Sequence, residues 1–173
     1  MDHYTPKRRI PVTLWSADLG SMQGRIFLDL DPAGNGHQTV LEKLNETGRF
    51  LPLAIGHEGR IQLVNKHRLS RVTTGRQVIQ SDVFARGFQP WREVEAEVAL
   101  DDGTNLVGRI WMPLQRESQR ISDFVNQRGW EYFALITPVA VHLINTAAVV
   151  GITLCESAGA PLATVEGNED LAA

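Results

Sequence analysis

A chain of 173 residues with 43% hydrophobic and 21% charged side chains has the make-up of a folded globular protein, which excludes disordered and fibrous classes. Its formal net charge of −3 gathers toward the C-terminal half, and no segment forms the basic stripe that general nucleic-acid binding requires. One cysteine, Cys155, permits no intrachain disulfide, and Ile10 to Leu14 is too short and interrupted for a signal-peptide core, so a cytoplasmic setting is expected.

Residues 1–9 read as an N-terminal arm carrying Lys7, Arg8 and Arg9. A strand follows from Ile10 through Val12 and Leu14, and Asp18-Leu19-Gly20 turns the chain into a second strand from about Met22 to Leu28. Gly34-Asn35-Gly36 is a flexible loop without the lysine and spacing of a phosphate loop. Thr39-Val40-Leu41-Glu42 predicts a capping box: the threonine oxygen accepts an early amide and the glutamate reaches back. Val40, Leu41 and Leu44 would form the buried face of this short helix, and Asn45 would end it in the left-handed conformation. Two further strands are expected, turned at Gly56 and Gly59.

Residues 74–91 form a linker whose Phe84, Phe88 and Trp91 predict that it lies across the body. Beyond it, Val94, Ala96 and Val98 alternate with Glu93, Glu95 and Glu97, the pattern of a half-buried strand. Asp102-Gly103 is a hairpin signal, followed by a strand from about Leu106 to Met112. A helix ending at Asn126 and two strands turned at Pro138 complete this part. Residues 155–173 are acidic and poor in large apolar side chains, so a disordered tail is expected.

The two parts match. Gly24-Arg25-Ile26-Phe27 recurs as Gly108-Arg109-Ile110-Trp111. In the same order, residues 40–45 pair with 121–126, 50–53 with 132–135, and 61–65 with 141–145; Leu69 then pairs with Val149 and Val72 with Ile152. The expected fold is α+β and mainly antiparallel: two tandem ββαββ repeats, residues 10–73 and 92–154, packed into one pseudo-symmetric body.

Gly108-Arg109-Ile110, Arg120-Ile121-Ser122-Asp123-Phe124-Val125-Asn126 and Leu143-Ile144-Asn145 resemble the motifs of a family of short bacterial domains to which no activity is attached. The resemblance covers both repeats, although the first departs from the helix motif with Thr39 to Asn45. The run Val98 to Gly103 followed by Gly108-Arg109-Ile110 also resembles the first hairpin of Sm-like barrels, which implies barrel character and an RNA-binding alternative. A helix after the second strand and a missing RNA-contacting signature depart from that pattern. The basic residues available to the alternative are Arg49, Arg60, Lys66, Arg68 and Arg71.

No catalytic, cofactor or metal constellation emerges. His3, His37, His57, His67 and His142 have no ligand-like partner at helical spacing, and His142 reads as an outward strand position. The three glutamates from 93 to 97 with Asp101 and Asp102 read as a solvated face. Arg25 and Arg109 occupy matching positions, where they would clamp an anion or pair with acids on neighbouring strands. Asn65 and Asn145 read as turn residues with left-handed backbone.

From Tyr132 to Leu154 there is no Asp, Glu, Lys or Arg. The length would suit a membrane span, but Pro138, His142 and Asn145 interrupt it, and it aligns with strands of the first repeat. There Lys66 pairs with Thr146, Arg68 with Ala148 and Arg71 with Gly151, which predicts a face wet in the first repeat and covered in the second. An interface is therefore expected on Val139, Val141, Leu143, Ala148, Val149, Val150 and Ile152, covered by the first repeat, the linker, a second protomer or another protein. The function expected is that of a non-enzymatic accessory or scaffold protein acting through protein–protein contacts.

Overall fold

Alternating apolar residues and well-placed turn glycines build long antiparallel ribbons, and the computed structural model describes residues 7–30, 36–78, 82–85, 87–112, 120–127 and 129–155. The strands are β1 (Lys7–Ser16), β2 (Gly20–Asp29), β3 (Phe50–Ile55), β4 (Arg60–Asn65), β5 (Arg71–Gly75), β6 (Arg92–Leu100), β7 (Asn105–Met112), β8 (Tyr132–Ile136), β9 (Ala140–Asn145) and β10 (Val149–Leu154). Two short helices, α1 (Val40–Asn45) and α2 (Ile121–Val125), follow β2 and β7. All ten strands join one sheet in the order β10-β6-β7-β8-β9-β5-β1-β2-β3-β4, and every pairing is antiparallel.

Residues 7–75 thus supply the block β5-β1-β2-β3-β4, and residues 92–154 supply β10-β6-β7-β8-β9. Each block holds five strands, one more than four-strand units would provide. The extra strand follows a 3₁₀ turn, Lys66–Arg68 before β5 and Thr146–Ala148 before β10. The strands also start earlier than alternation predicts: Lys7, Arg8 and Arg9 belong to β1, paired with Asp29, Leu28 and Phe27. Residues 1–6, Gly34-Asn35 of the glycine loop and the acidic tail beyond Cys155 lie outside the described residues.

Gly24 and Gly108 let the sheet fold over itself. β2 pairs with β3 only at Arg25–Ala54 and Ile26–Leu53, and β7 with β8 only at Arg109–Ile136 and Ile110–Leu135. A Cβ on Gly24 would meet the Leu53 side chain at 2.6 Å and the Ala54 carbonyl at 2.8 Å; one on Gly108 would meet the Ile136 carbonyl at 2.5 Å. Only glycine permits backbone approach this close.

The capping box forms as the sequence predicts. Glu42 N–H donates to Thr39 Oγ1 at 3.1 Å, Thr39 N–H donates to Glu42 at 2.8 Å, and Val40, Leu41 and Leu44 are buried. The asparagine expectations fail. No described non-glycine residue has positive φ. Asn65 and Asn145 keep extended backbone and cap the 3₁₀ turns, accepting from His67 N–H and Ala147 N–H. An asparagine oxygen can satisfy an orphan amide without a left-handed residue.

β8 is the wall between two cores. Tyr132, Ala134 and Ile136 pack with the first block's Ile10, Leu14 and Leu53, whereas Phe133 and Leu135 pack with Val98, Ile110 and Phe124 of the second. Because both faces are covered, β8 is a continuous apolar run rather than an alternating one. Burying each large side chain here contributes about 1.5–3 kcal/mol. In the linker, Val83 and Phe84 are buried, Phe84 stacks on Phe88 at 4.4 Å, and Trp111 closes over both rings. Asp82, also buried, ties the linker to Arg8 at 2.5 Å and His37 at 3.2 Å.

Candidate interaction surface

Strand order determines which backbone groups are left open. Eight of the ten strands have neighbours on both sides; β4 and β10 end the sheet among the described residues. Free strand edges offer rows of N–H and C=O groups to another chain unless charge, proline or a covering element blocks them. The β4 edge has little such protection. Ile61 and Leu63 are 53% and 63% exposed, and Phe50 on adjoining β3 is 55% exposed. At the other end, Val150 and Leu154 of β10 are 72% and 49% exposed.

The paired counterpart of these edges is the β5–β9 junction, where the two blocks meet. Arg71 lies opposite Ile144, Val72 opposite Leu143, Thr73 opposite His142 and Thr74 opposite Val141. A polar cluster seals one end. Asn145 N–H donates to the Ser70 carbonyl at 3.0 Å, and the Asn145 amide donates to the carbonyls of Leu69 at 2.9 Å and Lys66 at 3.4 Å. The Tyr132 hydroxyl donates to the same Lys66 carbonyl at 2.7 Å, and burial raises the Tyr132 pKa, so it remains a donor. Lys66 Nζ turns inward and donates to the carbonyls of Leu44 at 3.0 Å and Glu46 at 2.7 Å. Burial lowers the Lys66 pKa, opposed by the carboxylates of Glu131 and Glu46.

At the same end of the junction, next to Ser70, Arg71 is buried. It donates to Asp102 at 2.9 Å and lies 4.3 Å over the Trp15 ring, while Ser70 donates to Asp102 at 3.2 Å. Burial alone would raise the Asp102 pKa, but hydrogen bonds from Thr104 and Ser70 and the Arg71 charge hold it below the ordinary value. His142, half-buried opposite Thr73, shares a 3.0 Å hydrogen bond with the Thr73 hydroxyl; burial, aided by the Arg71 charge, lowers its pKa to about 4.

These contacts correct the expected wet face. Of Lys66, Arg68 and Arg71, only Arg68 is exposed, and it pairs with Asp18. Arg71 joins the two blocks through Asp102, and the Lys66 ammonium is taken up by carbonyls of its own block, which removes both from the basic set available to RNA and leaves Arg49, Arg60 and Arg68. Charge in a sequence does not reveal that backbone carbonyls or a buried carboxylate will take it up.

The predicted interface residues divide into two groups. Val141, Leu143 and Ala148 are buried within the chain, Val149 and Ile152 are half-buried, and Val139 and Val150 are exposed. The first block covers the β9 face through β5. Arg109 makes cross-strand ion pairs with Glu93 at 3.5 Å and Glu95 at 3.7 Å. Arg25 has no carboxylate partner among the described residues and borders a depression shared with His57 and Thr73, separate from the one beside Arg109. The two arginines therefore do not converge. Among the described residues, no three His, Cys, Asp or Glu come together to hold a metal ion, and no helix is long and apolar enough to cross a membrane.

Comparison with protein-family models, with curated proteins and with solved structures finds no match.

Proposed function

We propose that this protein is a non-enzymatic accessory or scaffold protein that acts through protein–protein contacts, and that its working surface is the open β4 edge with the adjoining Phe50. The observation that carries this reading is the exposure of Phe50, Ile61 and Leu63 beside strand backbone that has no neighbouring strand among the described residues. Main-chain hydrogen bonds along such an edge supply affinity, and alternate apolar side chains supply specificity.

We also propose that the halves are two copies of one unit. The block orders β5-β1-β2-β3-β4 and β10-β6-β7-β8-β9 support this, as do the glycines at positions 24 and 108, each facing a strand that a side chain would strike. In this reading the part of the uncharged stretch that forms β9 lacks charge because the first copy covers it.

The test is capture of binding proteins by wild type and by the double variant Ile61→Lys/Leu63→Lys, with circular dichroism as the control for folding. Both side chains are exposed, so the variant keeps its fold. Loss of specific captured proteins supports the reading; an identical set bound by the two chains refutes it.

A further inference from the structure

The β5–β9 junction shows how the two kinds of sheet end fit together, and among the described residues the chain carries one unused end of each kind. In the sequence alignment of the halves, β5 corresponds to the stretch 151–155 and β9 to the stretch 60–65. We propose that copies of this chain associate head to tail, the β10 edge of one copy pairing antiparallel with the β4 edge of the next. The inference rests on the reading of β4 as a contact surface and names its occupant.

The register follows from the internal junction. Val72 opposite Leu143 becomes Ile152 opposite Leu63, and Thr74 opposite Val141 becomes Leu154 opposite Ile61. Exposed Ile61 and Leu63 of one edge then face exposed Leu154 and half-buried Ile152 of the other, as cross-strand pairing favours.

Three further residues fit the same docking, each with an internal counterpart that is already satisfied. Asn145 spends its amide on carbonyls across the junction; the Asn65 amide N–H groups have no partner among the described residues. Asn45 at the end of α1 donates to the Tyr132 carbonyl and accepts the N–H groups of Glu131 and Tyr132. Asn126 at the end of α2 donates to Ser122 at 2.7 Å, as Asn45 does to Leu41, but its oxygen has no partner among the described residues. Tyr132 is buried at the junction, whereas its counterpart Phe50 stands exposed on β3. A depression bordered by Asn126, Trp130, Thr146, Val149 and Ile152 lies beside β10, where Phe50 of the next copy would seat.

All of these place the second block of one copy against the first block of another, so the contact is heterologous: it continues the sheet and leaves one edge open at each end until a ring closes. An unrelated partner would need to match only one edge. The agreement between the two edges in one register is what favours a second copy.

Light scattering on the full chain tests the proposal. Wild type is expected to give a mass that is a multiple of the single chain and falls on dilution. Leu63→Arg blocks the β4 edge and Leu154→Arg the β10 edge; both replace exposed side chains, so each is expected to be a folded monomer. Mixed together, each retains the edge the other lacks, and the mixture is expected to form a one-to-one dimer and nothing larger. In a Cys155→Ser background, a chain carrying Ile61→Cys mixed with one carrying Leu154→Cys is expected to form a disulfide between the two. A monomeric wild type, a mixture that remains monomeric, or crosslinking of the Ile61→Cys chain to itself in preference to the Leu154→Cys chain overturns the proposal. If wild type is monomeric yet still captures another protein through β4, only self-association is wrong; if capture fails too, both readings fall.

Discussion

Asn45 replaces a missing strand partner for Tyr132: its amide donates to the Tyr132 carbonyl at 3.1 Å, and its oxygen accepts the Tyr132 N–H at 2.9 Å and the Glu131 N–H at 2.8 Å. One side chain from α1 thereby satisfies three backbone groups at the start of β8. Asn45→Ala leaves them without partners at a partly buried site, and the expected cost is about 2–4 kcal/mol of stability. Asn45→Asp keeps the acceptor and loses the donor, so it should cost less. Urea denaturation of the three chains checks the order.

The contact between Gly108 and the Ile136 carbonyl predicts a steric effect. Gly108→Ala places a Cβ 2.5 Å from a backbone oxygen, which no side-chain rotation relieves. A loss of about 2–3 kcal/mol or more is expected. Gly24→Ala meets the Leu53 side chain as well as the Ala54 carbonyl at 2.8 Å, and part of that clash can relax, so its loss should be the smaller. Thermal unfolding of both variants compares them directly; equal stability to wild type would show that the strand crossings are looser than described.

Asp102 is the counter-ion of buried Arg71 and also accepts from Ser70 and Thr104. Asp102→Ala strands the guanidinium at the junction of the blocks. Removal of one member of a buried pair costs more than the pair is worth, here about 2–4 kcal/mol given that Asp102 is partly accessible. Asp102→Asn retains acceptance from Thr104 and should recover part of the loss. The denaturation midpoints of the three chains check the order.

His142 predicts how stability depends on pH. Its pKa falls from the ordinary 6.5 to about 4 in the folded chain, chiefly through burial. The unfolded chain therefore binds the proton first, and His142 contributes stability in full above about pH 6.5 that is lost as pH falls toward about 4. Asp29 and Asp102 have lowered pKa values, so their contributions are lost only below the ordinary aspartate value of 3.8. His142→Gln is expected to flatten the curve between about pH 4.5 and 6.5 while leaving the steeper acid limb in place. An unchanged slope in that window would place the titration elsewhere.

Local order was legible from local chemistry. Alternation marked β1 and β6, Asp102-Gly103 marked a hairpin whose Gly103 has φ of 80°, and Thr39 with Glu42 marked the start of α1. These features depend on neighbours a few residues away, so the chain carries them without tertiary context. Within the uncharged run from Tyr132 to Leu154, β8 and most of β9 are buried, because strands covered on both faces cannot keep ionised side chains, whereas β10 is largely exposed.

What the sequence alone determined is therefore most of the strands, the hairpin turns and the apolar faces, since those follow from backbone sterics and the period of two, while the fifth strand of each block, β5 and β10, was not among them. Only the tertiary structure decided that β5 would lie against β9, that Lys66 and Arg71 would turn inward at that seam, and that β4 and β10 would be the open ends among the described residues. That pairing joins residues far apart in the chain, Val72 with Leu143 for one, and its hydrogen bonds run between backbone groups that every residue type but proline carries in full. Side-chain identity constrains such a choice weakly until the whole sheet is assembled.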